Sequence, residues 1–269
     1  MNEPGAPHDR RIRLTLHYDG SGFAGWQAQA GARTVQGELE AALGRLTARP
    51  TAVIGAGRTD SGVHATGQVA GTVVPEKWHA STLRKALNAV LPRDIWVAAA
   101  AEMPAAFHAR YDALARGYSY RIGLADVTAS PFLRRWCWPL QQQLRVELLD
   151  AAATTLLGRH SFAAFAKSGQ SHRGEYCRVD RSEWSPWRGV GLEYRITANR
   201  FLHHMVRYLV GTMVDVARER RPLEDIDALL AKAPGQVTSE PAPPQGLFLS
   251  RVYYELHALE PGDEDETLP

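Results

Sequence analysis

The sequence predicts an α+β fold built from two mixed halves. Strand-like and helix-like segments are interleaved along the 269 residues, but without the regular alternation and uniformly apolar strands of a doubly wound sheet. A composition of 45% hydrophobic and 22% charged residues is that of an ordinary globular protein. The chain has neither an apolar run of about 20 residues nor an apolar region near its start. We therefore expect a soluble, cytoplasmic protein.

The elements of the first half follow from local patterns. Residues 11–18 alternate polar and apolar side chains, as in a half-buried strand, and end at the turn-forming pair Asp19-Gly20. Thr34 is the expected N-cap of a helix, because the apolar positions 35, 39, 43 and 46 fall on one helical face. Shorter patterns predict strands at 51–54, 68–74 and 95–101, and a helix at 81–90.

A connector at 103–110 leads into the second half. Alternating strings predict strands within 111–123 and 191–197 and at 247–254, and apolar periodicity predicts helices at 146–157, 203–218 and 223–231. The Pro-rich stretch 233–246 is typical of a surface loop. The predicted organisation is a flexible tail at 1–10, halves at 11–105 and 106–257, and an acidic tail at 258–269.

Cysteine usage and charge narrow the class of protein. Cys137 and Cys177 have no metal-binding or paired spacing, so we expect free thiols and no zinc site. The last ten residues hold five acids and no bases, so the rest of the chain carries a net charge of +7. Of the 31 bases, 27 are arginines, which suit phosphate contact and stacking on bases, although a GC-rich genome also favours arginine.

The densest group of chemically useful residues is the string GAGRTDSGVH at 55–64. Its three glycines permit close approach of a ligand, while the residues from Arg58 to Ser61 supply charge and hydroxyl groups. The string matches neither the P-loop nor the dinucleotide-binding pattern. From composition alone, a purely structural glycine-rich turn is an equally good interpretation.

The string GAGRTDSGVHA resembles the signature loop of the tRNA pseudouridine synthase A family. Further blocks resemble the family in the same order: YDGSGFAGWQAQ at 18–29, TVQGELE at 34–40, LNAVLPRDIWV at 88–97, FHARYDALARGYSY at 107–120, ANRFLHHMVRYLVGTM at 198–213 and QGLFLSRVYY at 245–254. The resemblance covers about residues 11–255. It implies the pseudouridine-synthase fold, with two similar α+β halves and a central cleft.

The resemblance also implies an activity: an isomerase that converts uridine to pseudouridine at positions 38, 39 and 40 of the tRNA anticodon stem-loop. This reaction exchanges one glycosidic bond for another without redox change, so no cofactor and no metal are expected. Asp60 matches the catalytic aspartate, acting as nucleophile at the sugar or as base on the ribose. Family members process tRNA as homodimers, so tRNA and a second copy are the expected partners.

Four further residues carry implied roles. Arg58 would keep Asp60 ionised and would contact an RNA phosphate or occupy the space of a flipped base; the alternative is a plain phosphate clamp. Tyr118 matches the tyrosine that stacks on the target uracil, with Tyr120 on the same strand face as the nearest alternative. Arg207 matches the arginine beside the catalytic aspartate. Leu247 resembles the apolar contact to the uracil, although a buried strand leucine explains it equally.

Two interpretations compete with catalysis on RNA. The first is a binding module of the same fold that has lost catalysis. The presence of all four matched residues counts against it, namely Arg58, Asp60, Tyr118 and Arg207. The second is a glycosidase, which typically needs two carboxylates where this loop offers one. The adjacent His203 and His204 would project to different faces of the predicted helix 203–218, so they are not expected to share a metal ion.

Overall fold

A computed structural model describes residues 9–167 and 174–255 and confirms the mixed α and β character. The chain divides into two compact units, one of residues 1–114 with 249–269 and one of residues 115–248. The first strand begins at Asp9. Residues 1–8 of the predicted N-terminal tail and all of the predicted acidic tail therefore lie outside the described residues.

The first unit contains an antiparallel sheet and two helices. Strand β1 lies between strands β3 and β4, and the short strand β2 pairs with β3. The helices α1 and α2 contact each other, and α2 packs against β4. The bounds are β1 (Asp9–Tyr18), α1 (Val35–Thr47), β2 (Val53–Gly55), β3 (His64–Pro75), α2 (Ala80–Val90) and β4 (Ile95–Met103).

Alternation along β1 explains the core of the first unit. Ile12, Leu14 and Leu16 are fully buried, and the polar residues between them are half-buried. Thr34 caps α1 as predicted, because its side chain accepts a hydrogen bond from the amide of Gly37. The predicted apolar face of α1 is confirmed at positions 35, 39 and 43, all fully buried. The loop that carries Asp60 lies between β2 and β3 of this unit.

The second unit contains a second antiparallel set of strands, in the order β5, β9, β8, β7, with the two-residue β6 parallel to β5. Its strands are β5 (Ala115–Gly123), β6 (Trp138–Pro139), β7 (Gly158–Ser161), β8 (Tyr176–Trp187) and β9 (Gly191–Ala198). Its helices are α3 (Val146–Thr155), α4 (Met205–Ala217) and α5 (Asp225–Leu230). The last strand, β10 (Leu247–Tyr253), starts in the second unit and continues in the first.

The sequence patterns predict no strand between residues 158 and 190, yet β7 and β8 lie there. In β8 the buried positions are Cys177 and Val179, then Ser182 and Trp184, and finally Trp187. A register shift between Val179 and Arg181 changes the phase of the alternation. A β-bulge of this kind hides a strand from a search for strict period-two alternation. Among the described residues, no helix has the length and apolar character needed to cross a membrane.

Candidate active site

The loop 56–63 joins β2 to β3 and carries two of the predicted site residues. Arg58 is exposed and makes no hydrogen bond or ion pair with the described part of the chain. Thr59 is buried, with 6% of its surface exposed, and Asp60 is half-buried. The side chain of Thr59 is thus enclosed by the protein. The guanidinium of Arg58 and the carboxylate of Asp60, on either side of it, keep exposed surface.

Two glycines let the segment that follows β1 lie directly against this loop. Gly25 has φ of +97°, and a Cβ atom there would lie 2.7 Å from the carbonyl oxygen of Thr59. At Gly20 a Cβ atom would lie 2.0 Å from the carbonyl oxygen of Val63. Any side chain at either position would displace the backbone on one side of Asp60. The string YDGSGFAGW is thus a structural partner of the loop.

A buried histidine closes the C-terminal end of the loop. His64 begins β3 with 1% of its surface exposed, and its Nδ1 lies 3.3 Å from Oδ1 of Asp19. Burial alone would raise the pKa of Asp19, but the hydrogen bonds that it accepts from His64 and Ser21 outweigh burial and hold the pKa well below its usual range. Asp19 is therefore a carboxylate with a structural role at the end of the loop.

In the second unit, the two candidate tyrosines of β5 have different environments. Tyr120 is fully buried and donates its hydroxyl to the carbonyl oxygen of Pro243 at 2.8 Å. Tyr118 is 9% exposed, and its ring meets the ring of Phe201 edge-on, with the centroids 4.9 Å apart. Tyr120 is thus a core residue with a structural hydroxyl, whereas Tyr118 keeps a small exposed surface.

Arg207 lies in the first turn of α4 and is half-buried. Its Nε donates to the carbonyl oxygen of Ala242 at 2.7 Å, and the amide of Ala242 donates to the carbonyl oxygen of Arg207 at 2.9 Å. This reciprocal pair ties the Pro-rich loop to α4 and orients the guanidinium. Leu247, the first residue of β10, is buried with 5% of its surface exposed, as either interpretation of this residue requires.

The prediction that His203 and His204 project to different helix faces is wrong. Helix α4 begins only at Met205, because His204 has φ of +64°, which is outside the right-handed helical region. The two imidazole rings therefore lie side by side, with their centroids 4.2 Å apart. The apolar periodicity that predicts this helix agrees with the buried positions Met205, Leu209 and Met213.

The structure places Arg58 and Asp60 in the first unit, and Tyr118, Arg207 and Leu247 in the second. The first unit thus supplies a carboxylate next to a cation, and the second supplies an aromatic ring, a second cation and an apolar contact. Sequence reasoning did not find the residues that hold the loop, Tyr18 and Gly25 among them. The string YDGSGFAGW could have pointed to these residues, because its glycines suggest that another part of the backbone lies close to them.

Fold and loop together define an α+β protein with a half-buried aspartate next to an exposed arginine in the loop between β2 and β3. A profile of the tRNA pseudouridine synthase family matches residues 15–112 and 152–255.

The chain is 39% identical over 246 residues to tRNA pseudouridine synthase A of Geobacter sp. (strain M21), an alignment that covers 91% of this chain and 99% of that relative. It is 41% identical over 245 residues to the synthase of the same name from Moorella thermoacetica, covering 90% of this chain and 99% of the relative. The corresponding protein of Solidesulfovibrio magneticus is 42% identical over 253 residues, with 91% of each chain covered. The chain belongs to the tRNA pseudouridine synthase family.

Proposed function

We propose that this protein isomerises uridine to pseudouridine at positions 38, 39 and 40 of the tRNA anticodon stem-loop. The observation that carries the proposal is the loop 56–63, in which Asp60 is half-buried and Arg58 is exposed. It occurs in a chain that aligns over 90% of its length or more with relatives named tRNA pseudouridine synthase A. The expected product is the C-glycosidic isomer of the substrate uridine.

The reaction balances without any external reagent. The bond between uracil N1 and ribose C1′ breaks, the base rotates, and C5 bonds to C1′. C5 then loses its proton and N1 gains one. Asp60 is the proposed nucleophile at C1′ or base at the ribose 2′ position, both of which require the ionised carboxylate.

The second unit supplies the proposed contacts to the base. Tyr118 offers a ring for stacking on the target uracil, and its phenol is a candidate acceptor of the C5 proton. Arg207 is the proposed cation beside the reacting carboxylate, and its bond to Ala242 supports a fixed orientation. Leu247 is the proposed apolar contact to the uracil. Removing the base from its stack costs a few kcal/mol, which stacking and backbone contacts would offset.

The proposed partners are tRNA and a second copy of this chain, and the proposed compartment is the cytoplasm. A body with a net charge of +7 outside the acidic tail is suited to a polyanionic substrate. Shape and backbone dominate recognition of structured RNA. We therefore expect a dimer to contact more of a tRNA than its anticodon arm.

Tritium release tests the proposed reaction. Transfer RNA labelled with tritium at C5 of uridine should release tritium to water when pseudouridine forms, because C5 loses its hydrogen. Mapping of the product should place the modification at positions 38, 39 and 40. Binding without release would favour the binding module, and release of free uracil or of sugar from a glycoside would favour the glycosidase. Asp60→Asn protein is the matched control.

A further inference from the structure

One side chain from outside the loop holds Thr59, the residue between Arg58 and Asp60. Tyr18, the last residue of β1, is 5% exposed, and its hydroxyl forms a hydrogen bond of 2.7 Å with Oγ1 of the equally buried Thr59. We propose that Tyr18 is a positioning residue for the reaction, which fixes the carboxylate of Asp60 by holding Thr59. This proposal rests on the proposed function of Asp60.

The backbone of the loop is held from the same side. The amide of Trp26 donates to the carbonyl oxygen of Thr59 at 3.0 Å, so both the side chain and the carbonyl of Thr59 have partners near the end of β1. One residue after Asp60, Ser61 Oγ donates to the carbonyl oxygen of Phe23 at 3.2 Å. Asp60 therefore lies between two anchored residues.

The start of the loop has an anchor of its own. Gln68 of β3 is fully buried, and its Nε2 donates to the carbonyl oxygen of Gly57 at 2.8 Å. Anchors at Gly57, Thr59 and Ser61 thus flank Arg58, which is exposed, and Asp60, which is half-buried. Among these three anchors, the pair Tyr18 and Thr59 is the one made by two side-chain hydroxyl groups, so either partner can be changed by deleting a single oxygen atom.

The chemistry of Tyr18 favours a positioning role over a proton-transfer role. Burial raises the pKa of Tyr18 well above its usual range, although the hydrogen bonds to Thr59 and Gln68 act in the opposite direction. The phenol therefore keeps its proton at all pH values of interest and serves as a fixed hydrogen-bonding group. Displacement of a reacting group by about 1 Å can cost about 100-fold in rate. A small shift of Thr59 is thus enough to slow the reaction.

A double-mutant cycle with steady-state kinetics tests this role. We expect Tyr18→Phe to lower kcat about 10- to 100-fold with KM within about twofold of wild type, because the loop geometry changes and the tRNA surface does not. Thr59→Val should behave in the same way, and Thr59→Ser, which keeps the hydroxyl, should restore most of the rate. The double variant should be no slower than the slower single variant, because both remove one interaction.

The second unit provides a matched control for loss of a buried tyrosine hydroxyl. Tyr194 is also fully buried and forms a 2.8 Å hydrogen bond with Ser182. Tyr194→Phe should lower the unfolding temperature to a similar extent as Tyr18→Phe while leaving kcat unchanged. The amide of Gly62 donates to the carbonyl oxygen of Phe23 at 3.4 Å, as the amide of Trp26 does to Thr59. Hydrogen exchange of these two amides should accelerate in the Tyr18→Phe protein and stay unchanged in the Tyr194→Phe protein.

Three results would overturn the positioning role. These are kcat of Tyr18→Phe protein within twofold of wild type, rate losses that multiply in the double variant, and an equal loss of kcat in the Tyr194→Phe protein. Failure of the proposed function would look different, because the wild-type protein itself would then release no tritium from labelled tRNA. The exchange rates would in that case still decide whether Tyr18 holds the loop.

Discussion

Tyr118 and Tyr120 lie two residues apart on one face of β5, and Tyr120 is the one whose hydroxyl is bonded to the carbonyl oxygen of Pro243. The sequence cannot separate them, since both fit the stacking role by residue type and both suit a strand. The structure separates them by burial: Tyr120 is fully enclosed, and Tyr118 retains 9% exposure beside Phe201. We therefore expect Tyr118→Phe and Tyr120→Phe to differ in their effects on turnover and on stability.

Removal of each hydroxyl should give different phenotypes. Tyr118→Phe should leave tRNA affinity within a few fold, because the ring remains, and should lower turnover if the phenol accepts the C5 proton as proposed. Tyr120→Phe should leave turnover unchanged and lower the free energy of unfolding by about 1–2 kcal/mol, because a buried carbonyl loses its donor. Single-turnover tritium release and urea denaturation measure the two effects. Normal turnover of the Tyr118→Phe protein would reduce Tyr118 to a stacking role.

Asp60→Asn should abolish turnover while tRNA affinity stays within a few fold of wild type. The amide is nearly isosteric and can form hydrogen bonds, but it can act neither as nucleophile nor as base. Tritium release with excess enzyme measures the chemistry, and filter binding measures the affinity. One tenth of wild-type activity remaining in this variant would contradict the assignment of Asp60.

Much of the fold could be predicted because local patterns coincide with burial. The alternation of 11–18 became β1, and the capping signal at Thr34 placed the start of α1 correctly. Two failures have local backbone causes that residue types do not encode. A register shift near Val179 broke the period of β8, and the left-handed conformation of His204 moved the start of α4 to Met205.

The candidate site was predictable only as a set of residues. Arg58 and Asp60 stand in a recognisable string, and the structure shows the loop that presents them. What holds that loop depends on pairs distant in sequence, such as Tyr18 with Thr59, 41 residues apart. No periodicity or motif identifies such a pair, because the hydrogen bond exists only after β1 and the loop have been brought together by folding.

Binding to tRNA should weaken steeply as salt rises, because each neutralised phosphate contributes about 0.7 to 0.9 to the slope of log affinity against log salt. Arg58→Gln should reduce that slope by about one contact, since this arginine is exposed and has no acidic partner within the described residues. Arg49→Gln is the control, because Arg49 already pairs with Asp9 at 2.8 Å. A slope that is flat in the wild-type protein would contradict a polyanionic substrate.

The depressed pKa of Asp19 predicts a specific loss of stability in acid. Because the pKa is lower in the folded state than in the unfolded state, the ionised carboxylate stabilises the fold above the unfolded value of about 3.9, and this contribution declines as the pH falls below that value. Asp19→Asn should therefore lower the free energy of unfolding near pH 7 and flatten its decline between about pH 5 and pH 3. Urea denaturation across this range tests the prediction, which parallel curves for the two proteins would contradict.

The last prediction concerns metal ions. The contact between His203 and His204 removes one reason for expecting that these residues bind no metal ion. The centroids of the two rings are 4.2 Å apart, so the imidazoles are close enough to bind one ion together. Their expected separation on a helix was the reason for expecting no shared ion. The proposed reaction itself exchanges one glycosidic bond for another and needs no electron acceptor. We therefore expect protein treated with EDTA to retain full turnover.

The RNA must be kept folded for this test to be decisive, since Mg²⁺ also supports tRNA structure. An isolated anticodon stem-loop in monovalent salt provides a substrate whose fold does not depend on Mg²⁺. Protein carrying both His203→Ala and His204→Ala, assayed with and without EDTA, separates a metal effect from a direct role of the imidazoles. A loss of rate in the wild-type protein on chelation, restored by a stoichiometric amount of one divalent metal and absent from the double variant, would establish a metal requirement at this pair.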